Sequence, residues 1–333
     1  MKGIPGSLLA VALICAGLLL STGTPLFAEG SEPTTTAEPA GGNTLYLPLA
    51  QYDYLSLDSR VIHSPGAGLL VLSGESLFVG LYTRHTVEKK LPADYPDLYH
   101  ALELVYDGRT NRHQYLAAFK SVSDQPVYGG LHTVQAAAVY GYEVISRDRL
   151  SLALGGGIAV GDFGIELSNG RSWPILPVPF IRMGWESRLL EASFEFITGP
   201  NLRATLAPES RLRLHGEMRM DEYRDIQDLI FESSLEYRLL SPDSPLGDLA
   251  GVSLGVKNDH YGFALGRGGR EVDDNGSFEV GYYAYFASLD LSLLKITGGY
   301  AFEGRERYGD SNPVRTGDGY FLSIQGMIPI QGK

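Results

Sequence analysis

Arg211-Leu212-Arg213-Leu214-His215-Gly216-Glu217-Met218-Arg219-Met220-Asp221 separates its residues by parity. Arg211, Arg213, His215, Glu217, Arg219 and Asp221 are ionisable, whereas Leu212, Leu214, Gly216, Met218 and Met220 are apolar or Gly. A period of two places the two sets on opposite faces of a strand; a helix would spread the charges around its circumference. A face of nothing but ionisable groups backed by an apolar face suits a wall between water and lipid. Eleven residues at ~3.3 Å rise and ~40° tilt cover roughly 28 Å, close to the ~25 Å apolar band of an outer-membrane barrel.

The same alternation recurs elsewhere. In 189–197, Leu190, Ala192, Phe194 and Phe196 oppose Glu191, Ser193 and Glu195. In 226–240, Leu229, Phe231, Leu235 and Tyr237 oppose Glu232, Ser234, Glu236 and Arg238, and in 249–263, Val252, Leu254 and Val256 oppose Ser253, Lys257 and Asp259. In 150–161, apolar residues oppose Ser151, Ala153, Gly155, Gly157 and Ala159, small enough for something bulky to approach the inner wall. The lumen-facing candidates are therefore Glu191, Glu195, Arg211, Arg213, His215, Glu217, Arg219, Glu232, Glu236, Arg238, Lys257 and Asp259. Their mixed signs fit a water-filled pore or cross-strand pairs that plug a narrow barrel.

Sixteen segments read as strands: 45–57, 66–73, 77–86, 97–107, 112–122, 131–145, 150–161, 174–185, 189–197, 202–206, 211–221, 226–240, 249–263, 277–287, 291–302 and 319–330. The segments 66–73 and 202–206 are short. Spacers tend to alternate in length, with long ones at 58–65, 87–96, 123–130, 162–173, 264–276 and 303–318, as in barrels with short periplasmic turns and longer outer loops. Ser241–Asp248 and Thr198–Pro200 break the rule. The fold class is all-β, an antiparallel transmembrane β-barrel over residues 44–333. Its length favours about 14 strands within a range of 12–16. Tyr52, Tyr54, Tyr99, Tyr106, Tyr140, Tyr142, Trp173, Trp185, Tyr282, Tyr283 and Tyr285 are candidates for interfacial girdles.

Residues 1–28 read as a secretory signal peptide: Lys2, an apolar run from Leu8 to Leu20, and cleavage near Ala28. Cys15 lies inside that run behind Ile14, which argues against lipidation. Without the leader the chain has no Cys, hence no disulfide framework. Residues 29–43 form a polar, disordered periplasmic lead. The expected location is the outer membrane of a diderm bacterium. The expected partners are outer-membrane lipid, the barrel-insertion machinery and small polar solutes. A net charge of −12 argues against nucleic acid.

No enzymatic, metal or cofactor signature stands out. His63, His85, His100, His113, His132, His215 and His260 lack metal-ligand spacing. Arg267-Gly268-Gly269-Arg270 has no helix behind it to cradle a phosphate, and Asp273-Asp274-Asn275-Gly276 lacks the spacing and terminal Glu of a calcium loop. The leading reading is a non-enzymatic pore or transporter for small polar solutes. The alternative is a narrow plugged barrel with a structural or surface-binding role. A rim lipid hydrolase or protease, with His132, His215 or His260 as base, stands behind both.

Leu176-Pro177-Val178-Pro179, Trp185 and the segment from Gly199-Pro200-Asn201-Leu202 to Asp221 resemble a family of bacterial outer-membrane β-barrels of unassigned function. The resemblance covers about a third of the chain and implies a barrel in the outer membrane, with no activity to carry over. The terminal aromatic common in such barrels is missing here: the chain ends Ile328-Pro329-Ile330-Gln331-Gly332-Lys333.

Overall fold

The computed structural model describes residues 44–89, 91, 95–128, 130–161, 174–197, 199–220, 229–240, 250–266, 276–291, 293–309 and 311–331. The expected leader and lead, Trp173, Asp221, Ser241–Asp248, Arg267–Arg270 and Asp273–Asn275 lie outside them.

The first eight strands are β1 (Leu45–Leu57), β2 (Val61–Ser73), β3 (Ser76–Glu88), β4 (Leu98–Thr110), β5 (His113–Ser123), β6 (Gln135–Arg147), β7 (Leu150–Val160) and β8 (Ile175–Glu186). Four short ones follow: β9 (Leu190–Phe196), β10 (Pro200–Leu206), β11 (Leu212–Met220) and β12 (Leu229–Arg238). The chain then makes β13 (Gly251–Ala264), β14 (Ser277–Asp290), β15 (Leu294–Tyr308), β16 (Val314–Met327) and the two-residue β17 (Ile330–Gln331). Each long strand pairs antiparallel with the next, and β1 pairs with both β2 and β16, so the sheet closes. The barrel thus has sixteen strands in its wall, the two-residue β17 aside, the top of the expected range rather than about 14. Segments 66–73 and 202–206 are not weak strands but parts of β2 and β10.

The end holding Leu45 and Ile330 is called the terminal end and the opposite one the loop end. Turns at the terminal end are tight: Gly74 (φ 59°) and Asn111 (φ 55°) take left-handed backbone in the β2–β3 and β4–β5 connections, conformations that Gly and Asn adopt at least cost. The expected long spacer 303–318 is shorter than the sequence suggests, because β15 and β16 extend into it. Glu303, Glu306, Arg305 and Arg307 made this stretch look like a loop. In the structure Glu306 points inward to Arg60 (2.6 Å), while Arg307 pairs outward with Glu279 (2.6 Å), so ion pairs replace apolar contacts beyond the greasy band.

Exposure identifies the faces. On β11, Leu214 is 42% exposed and Arg219 only 8%. The apolar set lies outward and the ionisable set is covered. Leu202, Leu206, Leu212, Met218, Met220, Leu235 and Leu254 continue the outer apolar surface over neighbouring strands. A surface of this kind is a lipid-facing band, and a closed barrel is the sheet architecture that satisfies every backbone group in lipid. Tyr46, Phe78, Tyr106, Tyr115, Tyr140, Tyr142 and Trp185 ring its outside towards the terminal end. Tyr99 and Tyr282, expected in the girdle, instead point inward and are buried. Tyr alternation alone does not distinguish the two faces.

Candidate functional site

The interior holds a slot with charged walls beside a packed apolar lobe. Cross-strand register builds the polar side. One row runs Arg203, Glu217, Glu232, Lys257 across β10 to β13. A second runs Arg182, Glu195, Asn201, Arg219 across β8 to β11. Acids and bases close on each other within and between rows: Arg203 to Glu217 (3.3 Å), Arg213 to Glu236 (2.6 Å) and Lys257 to Asp259 (2.8 Å). His215 meets Glu236 through Nε2 (2.8 Å) and Thr205 through Nδ1 (3.0 Å).

All the lumen-facing candidates except Arg211 lie on inward positions of β9, β11, β12 and β13. Arg211 is exposed in the turn before β11, where its carbonyl accepts the Arg238 backbone N–H. Alternation extended one residue too far there, because the turn breaks the pleat. The sequence reading missed the opposite wall altogether, Gln51, Asp53, Thr83, Glu103, Asp107 and Lys120, and on the near wall it missed Arg182. Gln51 donates to Thr83 (3.2 Å). Glu103 stands directly opposite Lys120.

Arg182 reaches furthest. From β8 its guanidinium spans to Asp107 on β4 (3.0 Å) and Glu195 on β9 (2.8 Å), with Phe180 beneath it (5.4 Å to the ring centroid). A small residue makes this possible: Gly141 leaves the space that the Phe180 ring occupies, since a Cβ there would run into it. At Gly155 and Gly157 no bulky group approaches: a Cβ there would meet the Tyr140 and Ala138 carbonyl oxygens, so these glycines let β7 lie close to the β6 main chain.

Toward the loop end the sheet forks. Backbone pairing of β5 with β6 stops at Lys120–Gln135, and that of β12 with β13 at Glu232–Lys257. Beyond those points β5 and β13 meet each other in parallel at Ser123–Ala264. Asp124 accepts the Gly266 N–H (2.6 Å), and His132 Nε2 donates to the Leu265 carbonyl (2.5 Å). At each fork a side chain replaces the lost ladder. Asn258 bonds the Phe231 N–H and the Leu229 carbonyl (both 2.6 Å), and Ser121 donates to the Thr133 carbonyl (2.7 Å). The strands β13–β16 and β1–β5 therefore close into a smaller ring at the loop end. Tyr99, Phe263, Phe278 and Tyr282 fill that ring, with Tyr99 stacked on Phe263 at 4.4 Å between centroids. Tyr99 is 0% and Phe263 2% exposed, so this lobe is sealed. Among the described residues, the polar slot continues to the loop end on the β6–β12 side.

The remaining histidines are held in the wall. His85 bonds Ser64 (2.8 Å) at the edge of the sealed lobe, while His63, His100 and His113 face outward and each bonds a Tyr hydroxyl. His132 serves the seam, and His260 is buried at the fork on the outward-facing set of β13.

No protein-family model and no curated protein matches this chain. Solved structures do. Outer membrane protein OprD from Pseudomonas aeruginosa aligns over 86% of this chain and 94% of its own, at 11% identity and a TM-score of 0.38. OpdQ from Pseudomonas aeruginosa aligns over 87% and 99%, at 11% identity and 0.36. OccAB3 from Acinetobacter baumannii aligns over 87% and 100%, at 9% identity and 0.38. At these scores they are likenesses only, and the barrel stands on its own strand pairing.

Proposed function

We propose that the protein is an outer-membrane channel for small polar solutes, non-enzymatic, with its termini on the periplasmic side behind a cleaved leader. The observation that supports this most is the slot of acids and bases between β9–β13 and the wall bearing Gln51, Asp53, Glu103 and Lys120. Buried ion pairs do not generally beat apolar packing for stability. A barrel wall this charged is better matched to solute that must shed part of its hydration shell in transit. Outer-membrane lipid surrounds the barrel, and the insertion machinery places it there. A second reading, a narrow barrel with a structural or surface-binding role, is favoured by the sealed lobe. Current through purified protein in planar bilayers separates the two. Steady channels whose selectivity moves toward cations on Arg213→Ala and Arg219→Ala support the channel. Folded, inserted but electrically silent protein overturns it.

A further inference from the structure

The outer wall repeats one motif. Tyr52 meets Nδ1 of His63 (2.8 Å), Tyr82 meets Nδ1 of His100 (2.6 Å), and Tyr140 meets Nδ1 of His113 (2.7 Å). The first two pairs lie towards the loop end and the last at the terminal end. From the terminal end, the outward face of β3 runs Phe78, Gly80, Tyr82, Arg84, Thr86 and Glu88. That of β1 runs Tyr46, Pro48, Ala50, Tyr52, Tyr54 and Ser56. Above the terminal-end aromatics both pass from apolar through Tyr to polar, as a lipid-facing wall does where it crosses into an interface. Tyr52 and Tyr82 mark that crossing, with His63, Arg84 and His100 just above them.

The two pairs at this level differ in one respect. His63 has an anion beside it: Glu88 stands 3.5 Å from its Nε2. His100 has none. Its Nε2 has no hydrogen-bond or ion-pair partner among the described residues. Neither has the guanidinium of Arg84, directly across the ladder from it. Arg84 is exposed, and Tyr82 is 46% exposed. An unpaired guanidinium on a lipid-facing wall is costly unless it reaches water or an opposite charge.

The geometry suits an oxyanion. The Tyr82 ring stacks on His100 (5.8 Å between centroids) and bonds its Nδ1, which leaves Nε2 as the nitrogen free to point a proton outward. A phosphate can accept that proton and the fork of the guanidinium together. It would complete at Arg84 and His100 what Glu88 completes at His63. Directly below, Leu69 and Leu104 are exposed and apolar, a surface for the chain of a lipid rather than for a free ion.

We propose that Arg84, His100 and Tyr82 form an outer-wall site for the phosphate of an anionic lipid, whose acyl chain lies along Leu69 and Leu104. The site needs the lipid-facing wall alone and does not depend on passage through the slot. The test uses the full chain with Cys15 replaced, reconstituted in phosphatidylcholine with a trace of phosphatidic acid carrying a nitroxide on its acyl chain. A fluorophore sits on Ala67→Cys, exposed and opposite Tyr82 in the ladder, or on Leu254→Cys, exposed on the far wall. The reference is phosphatidylcholine with the same nitroxide at the same level. The expected result at Ala67 is a roughly fivefold preference for phosphatidic acid, the effect of one cation at a membrane surface. None is expected at Leu254, because a net charge of −12 gives no general attraction for anions. Arg84→Gln and His100→Gln each reduce the preference, with quenching of Leu254 by the labelled phosphatidylcholine unchanged, as in folded and inserted protein. Arg315→Gln, which removes the same charge elsewhere at the loop end, leaves the preference intact. Equal quenching at Ala67 by the two lipids overturns the site. A preference that survives Arg84→Gln, or that Arg315→Gln removes as fully, overturns its assignment to these residues. Relief of the quenching by inorganic phosphate equimolar with the labelled lipid assigns the site to free phosphate and overturns the lipid.

Discussion

Replacing Arg182 by Met destabilises the folded barrel by about 3–5 kcal/mol, because removing the cation of a buried ion cluster leaves two carboxylates without its compensating charge. Glu195 is 2% exposed, and both it and Asp107 depend on the same guanidinium. Met keeps most of the volume over Phe180, so the loss reports charge rather than a cavity. The companion variant separates the causes. Neutralising the partners as well, with Asp107→Asn and Glu195→Gln on the Arg182→Met background, recovers most of the loss, since a neutral cluster of similar shape has little desolvation to repay. Denaturant unfolding of reconstituted protein gives both numbers. A cost for Arg182→Met below about 1 kcal/mol, the value of a solvent-exposed pair, would mean that the cluster is wet.

The second large effect separates two adjacent residues. Leu214→Arg puts a guanidinium on the lipid face and costs ~2–4 kcal/mol near the bilayer midplane, less towards an interface. Arg213→Leu, one residue away, removes a side chain that points inward to Glu236 and costs less by that mechanism. A soluble sandwich with Leu214 in its core would also penalise Leu214→Arg, so bilayer thickness is the discriminating variable. Unfolding from bilayers of increasing thickness gives a growing penalty at Leu214 and none of that trend at Arg213. A penalty that grows with bilayer thickness at Arg213→Leu and not at Leu214→Arg would mean the faces are reversed.

Some strands carry their orientation in their sequence and others do not. On β9, β11, β12 and the lower part of β13 one face is charged and the other apolar, so period two alone separates lumen from lipid. On β1 the inward Leu45, Leu47 and Leu49 are as apolar as the outward Tyr46, and on β14 the inward Phe278, Val280 and Tyr282 are buried aromatics and aliphatics. Where both faces are greasy, alternation carries no sign, and the sealed lobe was invisible. The fork was equally hidden, because it depends on β5 meeting β13 across more than a hundred residues of chain. Its local traces, Asn258 and Ser121 at the two branch points, look like ordinary polar residues in a strand. Arg182 stands out only with its distant partner Asp107, 75 residues away on β4, since β8 itself shows no charged face.

The central claim is that solute passes through the polar slot and not through the sealed lobe. The direct measurement is current through single reconstituted channels during exposure to a charged, membrane-impermeant thiol reagent. It is made on Ser193→Cys in the slot and Ala284→Cys in the packed lobe, each with Cys15 replaced. Ser193 faces inward opposite Arg203, and Ala284 is fully buried behind Lys257. The account predicts a stepwise fall in current for Ser193→Cys and no change for Ala284→Cys. A fall at Ala284→Cys with Ser193→Cys unaffected would contradict it.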